Sequence, residues 1–428
     1  MKKNNKIVRL LWLIVILLPF VTVLSIHIPL NLGSFNIVLI IKELFVIIII
    51  ILSMSIIFRR KHVKLSMKEV YMLFFIIYGV LHIVISNIIF QIGFIEAIDK
   101  FRVVYLYPIM FLSLYLVFKE TKYVLKFDKL KLILIIQMFI MIIFGFIQML
   151  LKDQFLLSVY KDEYSNMHLN LLGQKGVRTV SLLYNPIILG IFLNIGLVIL
   201  LFSNMKSRIW RVIKWILIIS SIILIFTTLS RISYIIMALI ILFYFLFHKI
   251  NTSKLFFKLA LIPLLLVVML GVEYSDNNLI SKRLSQITSD NIANNDRVYN
   301  WDIYLDSAFR DSPFLWLWGS GLGSSNSDNS VQSEYVKKVE NSFVSIMGET
   351  GIIGLIIYVG IILRYIYNCI YLYSKGYKNE ANIFLGWIFI FLIASLTNDV
   401  YKNNPFSFYF WMFLFMIELK RMEYKSDR

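Results

Sequence analysis

Three arginines, Arg178, Arg231 and Arg297, lie at the borders of long apolar runs, where charged residues are scarce. Arginine binds phosphate through paired hydrogen bonds and keeps its charge at all ordinary pH values. Arg231 is the clearest case, because an arginine at membrane depth normally faces a water-filled cavity or a bound anion. The alternative is that these side chains extend to the membrane interface. The pattern predicts a phosphate-binding site.

Two carboxylates, Glu340 and Glu349, flank the start of a later apolar run, and Asn341 follows the first of them. A carboxylate at the mouth of a membrane bundle can act as a general base. Two structural alternatives stay open. Glu340 could be an acidic residue favoured by a helix N-terminus, and Glu349 could be a polar contact between helices.

The sequence lacks the motifs of metal-dependent and nucleotide-dependent proteins. Its five histidines show no paired ligand spacing, and no Walker loop is present. Gly319, Gly321 and Gly323 alternate with other residues, which matches neither a P-loop nor a dinucleotide-binding turn. We therefore expect no metal, no cofactor and no transport powered by ATP. The single cysteine, Cys369, excludes a disulfide within the chain.

Several other charged residues lie within or near apolar runs. Lys42 and Glu43 are neighbours in one run, and adjacent residues of a helix do not face each other. They are expected to reach the interface, to pair with other charges or to mark an ion path. Two further sets are expected on solvated faces of short outer loops, with contact to substrate as the alternative: Glu96, Asp99, Lys100 and Arg102 on one, and Asp399 and Lys402 on the other.

The elements that must position these residues are long apolar segments. Hydrophobic residues make up 59% of the 428 positions and charged residues only 16%, unlike a soluble domain. The runs do not alternate as barrel strands would, so helices are expected. The predicted fold is an all-α polytopic membrane protein of about twelve spans. These are placed at 10–28, 35–58, 70–90, 103–118, 132–151, 183–203, 213–229, 232–247, 255–273, 343–372, 383–398 and 406–419.

The net charge of +18 comes mainly from short segments between alternate spans. This distribution is the positive-inside signal, and it predicts that both ends lie in the cytoplasm. It removes the need for a nucleic acid partner and favours anionic membrane lipid as a minor one. No small-residue cleavage site follows the first apolar run, which is therefore expected to be an uncleaved span.

Three regions follow from this topology. Residues 1–273 are expected to hold nine spans, with an outer loop near 152–182. Residues 274–342 are expected to form one large extracytoplasmic loop, and residues 343–428 three spans and a cytoplasmic tail. Within the loop, 296–309 predicts an amphipathic helix with Trp301 on its apolar face, and the Gly/Ser-rich stretch 319–330 predicts a mobile loop.

The order of these motifs resembles the O-antigen polymerase and O-antigen ligase superfamily of bacterial envelope glycosyltransferases. An arginine followed by Asn-Pro opens one span, and Ser-Arg joins two others. A large loop then leads to Glu340-Asn341 and, eight residues after Asn341, to Glu349-Thr350-Gly351. Many members, including the ligases, have histidine where this chain has Glu340, which argues against a ligase. The stretches that carry the resemblance are Arg178–Pro186, Thr228–Arg231, Arg297, Trp301, Pro313, Gly319–Gly323, Glu340–Asn341, Glu349–Gly351 and Gly354.

The resemblance implies a GT-C-like bundle that polymerises oligosaccharide linked to undecaprenyl diphosphate, outside the cytoplasmic (inner) membrane of a bacterium. The lipid diphosphate would be the leaving group, so neither metal nor nucleotide would be needed. Arg178 and Arg231 would hold the diphosphate, and Glu340 would deprotonate the acceptor hydroxyl. A flippase and a chain-length regulator would be partners. Further substrate-binding residues would be Arg297, Asn341, Asn185, Trp301 and Glu349.

Two other functions stay open. A ligase would transfer finished glycan to another acceptor. A flippase or solute transporter would also have about a dozen spans, often with charge at the membrane midplane. The long outer loop and the arginines at the outer mouth disfavour a transporter.

Overall fold

The structure is a computed structural model. The predicted ninth span, 255–273, and most of the predicted large loop lie outside the residues that it describes. The described residues are 2–28, 31–32, 35–59, 65–88, 93–121, 123, 125–161, 168–171, 174–205, 207–247, 296–309, 313–324 and 339–426.

The described part of the chain is almost entirely helical, with two short antiparallel hairpins that the sequence did not predict. The hairpins are β1 Asn31–Leu32 with β2 Phe35–Asn36, and β3 His168–Leu171 with β4 Gln174–Val177. The helices are α1 Lys2–Leu17, α2 Val21–His27, α3 Ile37–Phe58, α4 Met67–Ile88, α5 Phe94–Thr121, α6 Phe127–Leu151, α7 Asp153–Tyr160, α8 Pro186–Phe202, α9 Arg208–Thr227, α10 Arg231–Phe247, α11 Asp296–Phe309, α12 Pro313–Trp318, α13 Ser342–Ser374, α14 Lys378–Ser395 and α15 Phe406–Ser426.

Every predicted span that falls on described residues overlaps a helix. Among those residues, seven helical stretches are long and apolar enough to cross a membrane, and α8 and α10 are shorter apolar helices. A helix satisfies its own backbone hydrogen bonds, which hydrocarbon requires. The prediction of a polytopic helical membrane protein is therefore supported, while the total of about twelve spans stays a prediction.

Helix α5 begins earlier than expected, at Phe94. The prediction that this set lies on a short loop is wrong, because an acidic residue in the first turn stabilises the start of the helix, which covers Glu96, Asp99, Lys100 and Arg102. Their expected exposure is confirmed for Arg102 and Asp99, whose side chains are 42% and 47% exposed and 2.6 Å apart. Arg102 also pairs with Glu43 of α3, which settles the partner of that carboxylate.

Helix α14 lies at the centre of the bundle, between α8, α10 and α13. Its Trp387 is fully buried, stacks on Phe413 of α15 at 3.7 Å and donates a hydrogen bond to Ile195 O of α8 at 3.2 Å. A buried tryptophan contributes a large apolar area, and here its indole N–H is also satisfied. Gly386, beside it, allows close approach to Val198 of α8.

Helices α10 and α13, which carry candidate site residues near their first turns, run in the same direction. Phe247, the last residue of α10, contacts Tyr373 near the end of α13, with ring centroids 6.4 Å apart. The C-terminal ends of these helices therefore lie together. Their N-terminal ends, which carry Arg231 and Asn341, consequently point toward the same end of the bundle.

Candidate functional site

The segment that contains Arg178 is bonded to the turn that contains Arg231. The Thr179 N–H donates to Thr227 O at 3.1 Å, and Arg178 Nε donates to Thr228 O at 3.0 Å. Thr228 lies three residues before Arg231, the first residue of α10. The Arg178 segment and the start of α10 are thus neighbours in the fold although they are far apart in the sequence, and the phosphate site stays a prediction.

Gln148 of α6 is hydrogen-bonded to the segment that contains Arg178, and this role was not predicted from the sequence. Its Nε2 donates to Arg178 O at 3.0 Å. Its Oε1 accepts from the N–H groups of Val180 and Ser181, each at 2.9 Å. The only signal in the sequence was a glutamine near the end of a span, and a buried amide in hydrocarbon needs such partners. Gln148 fixes the backbone from which the Arg178 side chain extends.

Tyr160 of α7 supports the same segment. Its hydroxyl donates to Ser181 O at 2.6 Å and accepts from the Tyr184 N–H at 3.0 Å. Burial raises the pKa of the Tyr160 phenol, so the side chain stays neutral and keeps its proton for this bond. Together, Gln148 and Tyr160 leave the arginine-bearing segment little freedom to move.

The backbone of this junction is strained. Ser181, Tyr184 and Leu229 have φ values of 51°, 60° and 50°, although none is glycine. Such conformations cost free energy of about 1–3 kcal/mol each, and they persist only where the surroundings impose them. Strain of this kind concentrates at functional sites, which supports the assignment of this junction as one.

Two helices begin at the junction. Asn185 caps α8, since its Oδ1 accepts from the N–H groups of Ile187 and Ile188 at 2.8 and 3.4 Å. Its predicted contact with substrate stays a prediction. Arg231 opens α10, although a helix N-terminus disfavours a cation. Two arginines and two helix N-termini meet in this region, and helix N-termini are common binding places for anions.

The second group of predicted residues surrounds the start of α13. Asn341 caps this helix, with Oδ1 accepting from the N–H groups of Phe343 and Val344 at 2.9 and 3.2 Å. Glu340, just before the helix, is partly exposed. Asn341 is bonded like Asn185, so its predicted contact with substrate also stays a prediction.

Glu349, two turns into α13, is buried among protein donors. Its Oε1 accepts from Lys402 Nζ at 2.7 Å, and its Oε2 accepts from the Tyr401 hydroxyl at 3.3 Å. Lys402 also lies 3.5 Å from Asp399 Oδ2 and donates to Ser345 Oγ at 2.7 Å. The expected solvated face for Asp399 and Lys402 is wrong, because their turn folds inward onto α13. This arrangement favours the structural alternative for Glu349.

Burial has opposite effects on the pKa values of Asp399 and Lys402. Burial raises the pKa of Asp399 despite the nearby Lys402. Burial lowers the pKa of Lys402, but the negative charges of Asp399 and Glu349 outweigh this effect, so its pKa stands above the ordinary value. Lys402 is therefore a charged cation held by two carboxylates, of which Glu349 is the nearer at 2.7 Å.

The first part of the Gly/Ser-rich stretch is packed against α13. Ser320 N donates to Gly348 O at 2.7 Å, and Gly323 N donates to Glu349 Oε1 at 3.2 Å. At Gly351 the helix is interrupted by a φ of 67°, and a side chain there would overlap the Leu317 carbonyl. The prediction of a mobile loop is therefore wrong for 319–324, because these backbone groups are paired; residues 325–330 lie outside the described residues.

Helix α11 confirms the helix predicted at 296–309. Its Tyr304 ring packs against Gly348, and this contact joins the helix to α13. The Tyr304 hydroxyl also lies 3.1 Å from Ser324 Oγ. Arg297 lies in its first turn, with its side chain outside the described residues. Trp301 Nε1 is buried with no hydrogen-bond partner within the described part of the chain. Neither observation tests a contact with substrate.

The fold defines a class of protein: an integral membrane protein of packed helices, in which Arg178 lies against the Thr228–Arg231 turn and Glu349 is buried beside Lys402. In the part of the chain that the structure describes, no three His, Cys, Asp or Glu side chains form a group that could hold a metal ion.

Residues 215–359 match the family of proteins described as O-antigen ligase. The matched range contains the Ser230–Arg231 turn, α11 and the start of α13, whereas Arg178 and Asn185 precede it. The match confirms the resemblance to the O-antigen ligase and polymerase superfamily, and it indicates a bacterial membrane enzyme of the glycosyl-transfer type. A search of curated proteins found no match.

Proposed function

We propose that this protein polymerises oligosaccharide repeat units linked to undecaprenyl diphosphate into a surface polysaccharide of capsule or O-antigen type. The supporting observation is the junction of Arg178 with the Thr228–Arg231 turn, since a diphosphate needs several fixed cationic donors. The site would face outward from the cytoplasmic membrane, with both chain ends in the cytoplasm. A flippase and a chain-length regulator would be its partners.

In the proposed reaction, a sugar hydroxyl of the acceptor attacks the anomeric carbon of the donor. The bond from that carbon to the diphosphate oxygen breaks, and the lipid diphosphate leaves with the electron pair. Arg178 and Arg231 stabilise the charge that develops on the leaving group. Glu340 accepts the proton of the attacking hydroxyl. The positive charge needed at the leaving group thus comes from this chain's own side chains.

Ligation is the second candidate, because the matched family is described as O-antigen ligase. A ligase would transfer finished glycan from the same lipid diphosphate to a different acceptor. The anion site would serve both reactions, and only the acceptor would differ. The ligases of the superfamily that this chain resembles have histidine where this chain has Glu340, and this difference favours the polymerase.

The test uses purified protein in detergent and a synthetic undecaprenyl diphosphate oligosaccharide, with a ladder of products read on a gel. We expect Arg231→Ala and Glu340→Gln to abolish the ladder and Arg231→Lys to restore part of it. Arg208→Ala is the matched control, since Arg208 opens α9 as Arg231 opens α10, at the opposite end of the hairpin. We expect its ladder to equal that of the wild type.

A full ladder from well-folded Arg231→Ala protein would remove the role of this arginine. Transfer of preformed glycan to a second acceptor, with no ladder, would instead identify a ligase. Passage of labelled substrate across proteoliposomes, without product, would identify a transporter.

A further inference from the structure

Lys402 joins three parts of the chain that are far apart in the sequence. It lies in the turn between α14 and α15, and its ammonium group contacts Glu349 and Ser345 on one face of α13. These two residues are four positions apart, so a single cation can reach both from the same side of the helix. Through Glu349 Oε1, the same contact extends to the Gly323 N–H.

The turn that carries Lys402 also holds the start of α13. Ser342 Oγ donates to Asn398 O at 2.9 Å and accepts from the Val400 N–H at 2.9 Å. Ser342 directly follows Glu340 and Asn341. The turn therefore holds the start of α13 at Ser342, next to the residues proposed to face the acceptor. Lys402 holds the same helix at Ser345 and Glu349, one and two turns further along.

The stretch Gly319–Ser324 depends on the same anchor. Gly321 N donates to Glu349 O at 3.1 Å, and Ser320 Oγ donates to Gly348 O at 2.9 Å. The interruption of α13 at Gly351 lies directly after these two carbonyl groups, within three residues of each. The Glu349 carboxylate, with Lys402 as counterion, sits at the centre of these contacts and is 1% exposed.

We propose that Lys402 is a positioning residue, which locks the stretch Gly319–Ser324 and the turn before α15 onto the start of α13 and so fixes Glu340 toward the acceptor sugar. This inference rests on the proposed function for its effect on catalysis. The lock itself is a property of the fold, and it can be measured without any substrate.

The experiment compares Lys402→Met with wild type by hydrogen–deuterium exchange of the peptide that contains 319–324 and by steady-state polymerisation. Loss of a charged hydrogen bond in a buried site corresponds to roughly a tenfold to hundredfold change. We expect the exchange of these N–H groups to rise, and kcat to fall, by about this factor. KM for the lipid-linked donor should stay within about threefold, because Arg178 and Arg231 are untouched. Lys402→Arg should restore part of both.

Arg364→Met is the matched control. Arg364 also lies on α13 and pairs with the buried Glu418 of α15, with Arg364 Nη2 and Glu418 Oε1 2.7 Å apart. This variant also removes the cation that pairs with a buried carboxylate of the bundle, but the pair lies nearer the other end of α13. We expect wild-type exchange at 319–324 and wild-type kcat per folded molecule.

Unchanged exchange in Lys402→Met, or an equal rise in Arg364→Met, would overturn the proposal. If Lys402→Met does not insert, Glu349→Gln combined with Lys402→Met removes both charges and keeps an amide oxygen for the Gly323 N–H. This double variant should still show raised exchange, and normal exchange would refute the lock. If wild-type protein makes no polymer, the proposed function fails, while the exchange result still decides whether the lock exists.

Discussion

Replacing Gln148 by leucine is the sharpest test of how the proposed phosphate site is held in place. Leucine fills a similar volume but can neither donate nor accept a hydrogen bond. The change leaves Arg178 O, Val180 N and Ser181 N without their amide partner, next to the arginine proposed to hold the donor diphosphate. We expect the segment to shift and the guanidinium group to lose its fixed position.

The free-energy cost of Gln148→Leu can be estimated from the three hydrogen bonds that are lost. A buried backbone group left without a partner costs about 1–3 kcal/mol, so three such groups put the total at roughly 3 kcal/mol or more. If this free energy is relieved by local opening of the segment, the ratio of closed to open forms falls by about a hundredfold. We therefore expect polymerisation to fall by up to about a hundredfold, with a lower melting temperature.

The matched control is Gln137→Leu, in the same helix α6. Gln137 is also buried and makes three hydrogen bonds, to Val15 O at 2.7 Å, to Ile16 O at 3.1 Å and from the Tyr409 hydroxyl at 3.2 Å. It lies about three helical turns from Gln148, away from the arginines. Melting in detergent is followed by intrinsic fluorescence, and activity by the gel ladder.

The two variants should lose stability alike and differ in activity. A Gln148→Leu protein with wild-type ladder formation would refute the reasoning that this residue positions Arg178. Equal loss of activity in Gln137→Leu would show that the assay reports general destabilisation of the bundle.

Three further outcomes are expected. Asn185→Ala should lower stability by about 1 kcal/mol, measured by melting, as for the loss of a helix cap, whereas Asn185→Asp should keep the cap; activity lost equally in both would indicate a direct contact with substrate. Gly351→Ala should prevent insertion or lower the melting temperature strongly, because its φ of 67° and the Leu317 carbonyl exclude a side chain. Since burial raises the pKa of Asp399, its contribution to stability should fall as pH rises above 3.8 toward its folded-state pKa, and Asp399→Asn should flatten that part of a melting curve against pH.

The sequence predicted the helices because each span is a local property. About 20 apolar residues in a row cannot be satisfied in water, and a helix is the local solution in lipid. The hairpin around Ser230 and Arg231 was predicted for the same reason, since it lies between two such runs. The arginines were conspicuous because they interrupt an apolar background.

Only the tertiary structure decided which residues hold the site in place. Gln148 and Arg178 are 30 positions apart, and Glu349 and Lys402 are 53 positions apart, so no local pattern reveals either contact. Asp399 and Lys402 have the composition of a solvated turn, yet Asp399 is buried and the Lys402 side chain is only 12% exposed, because their turn folds back onto α13. Burial and pairing of polar groups depend on which helices pack together, and that information is distributed over the whole chain.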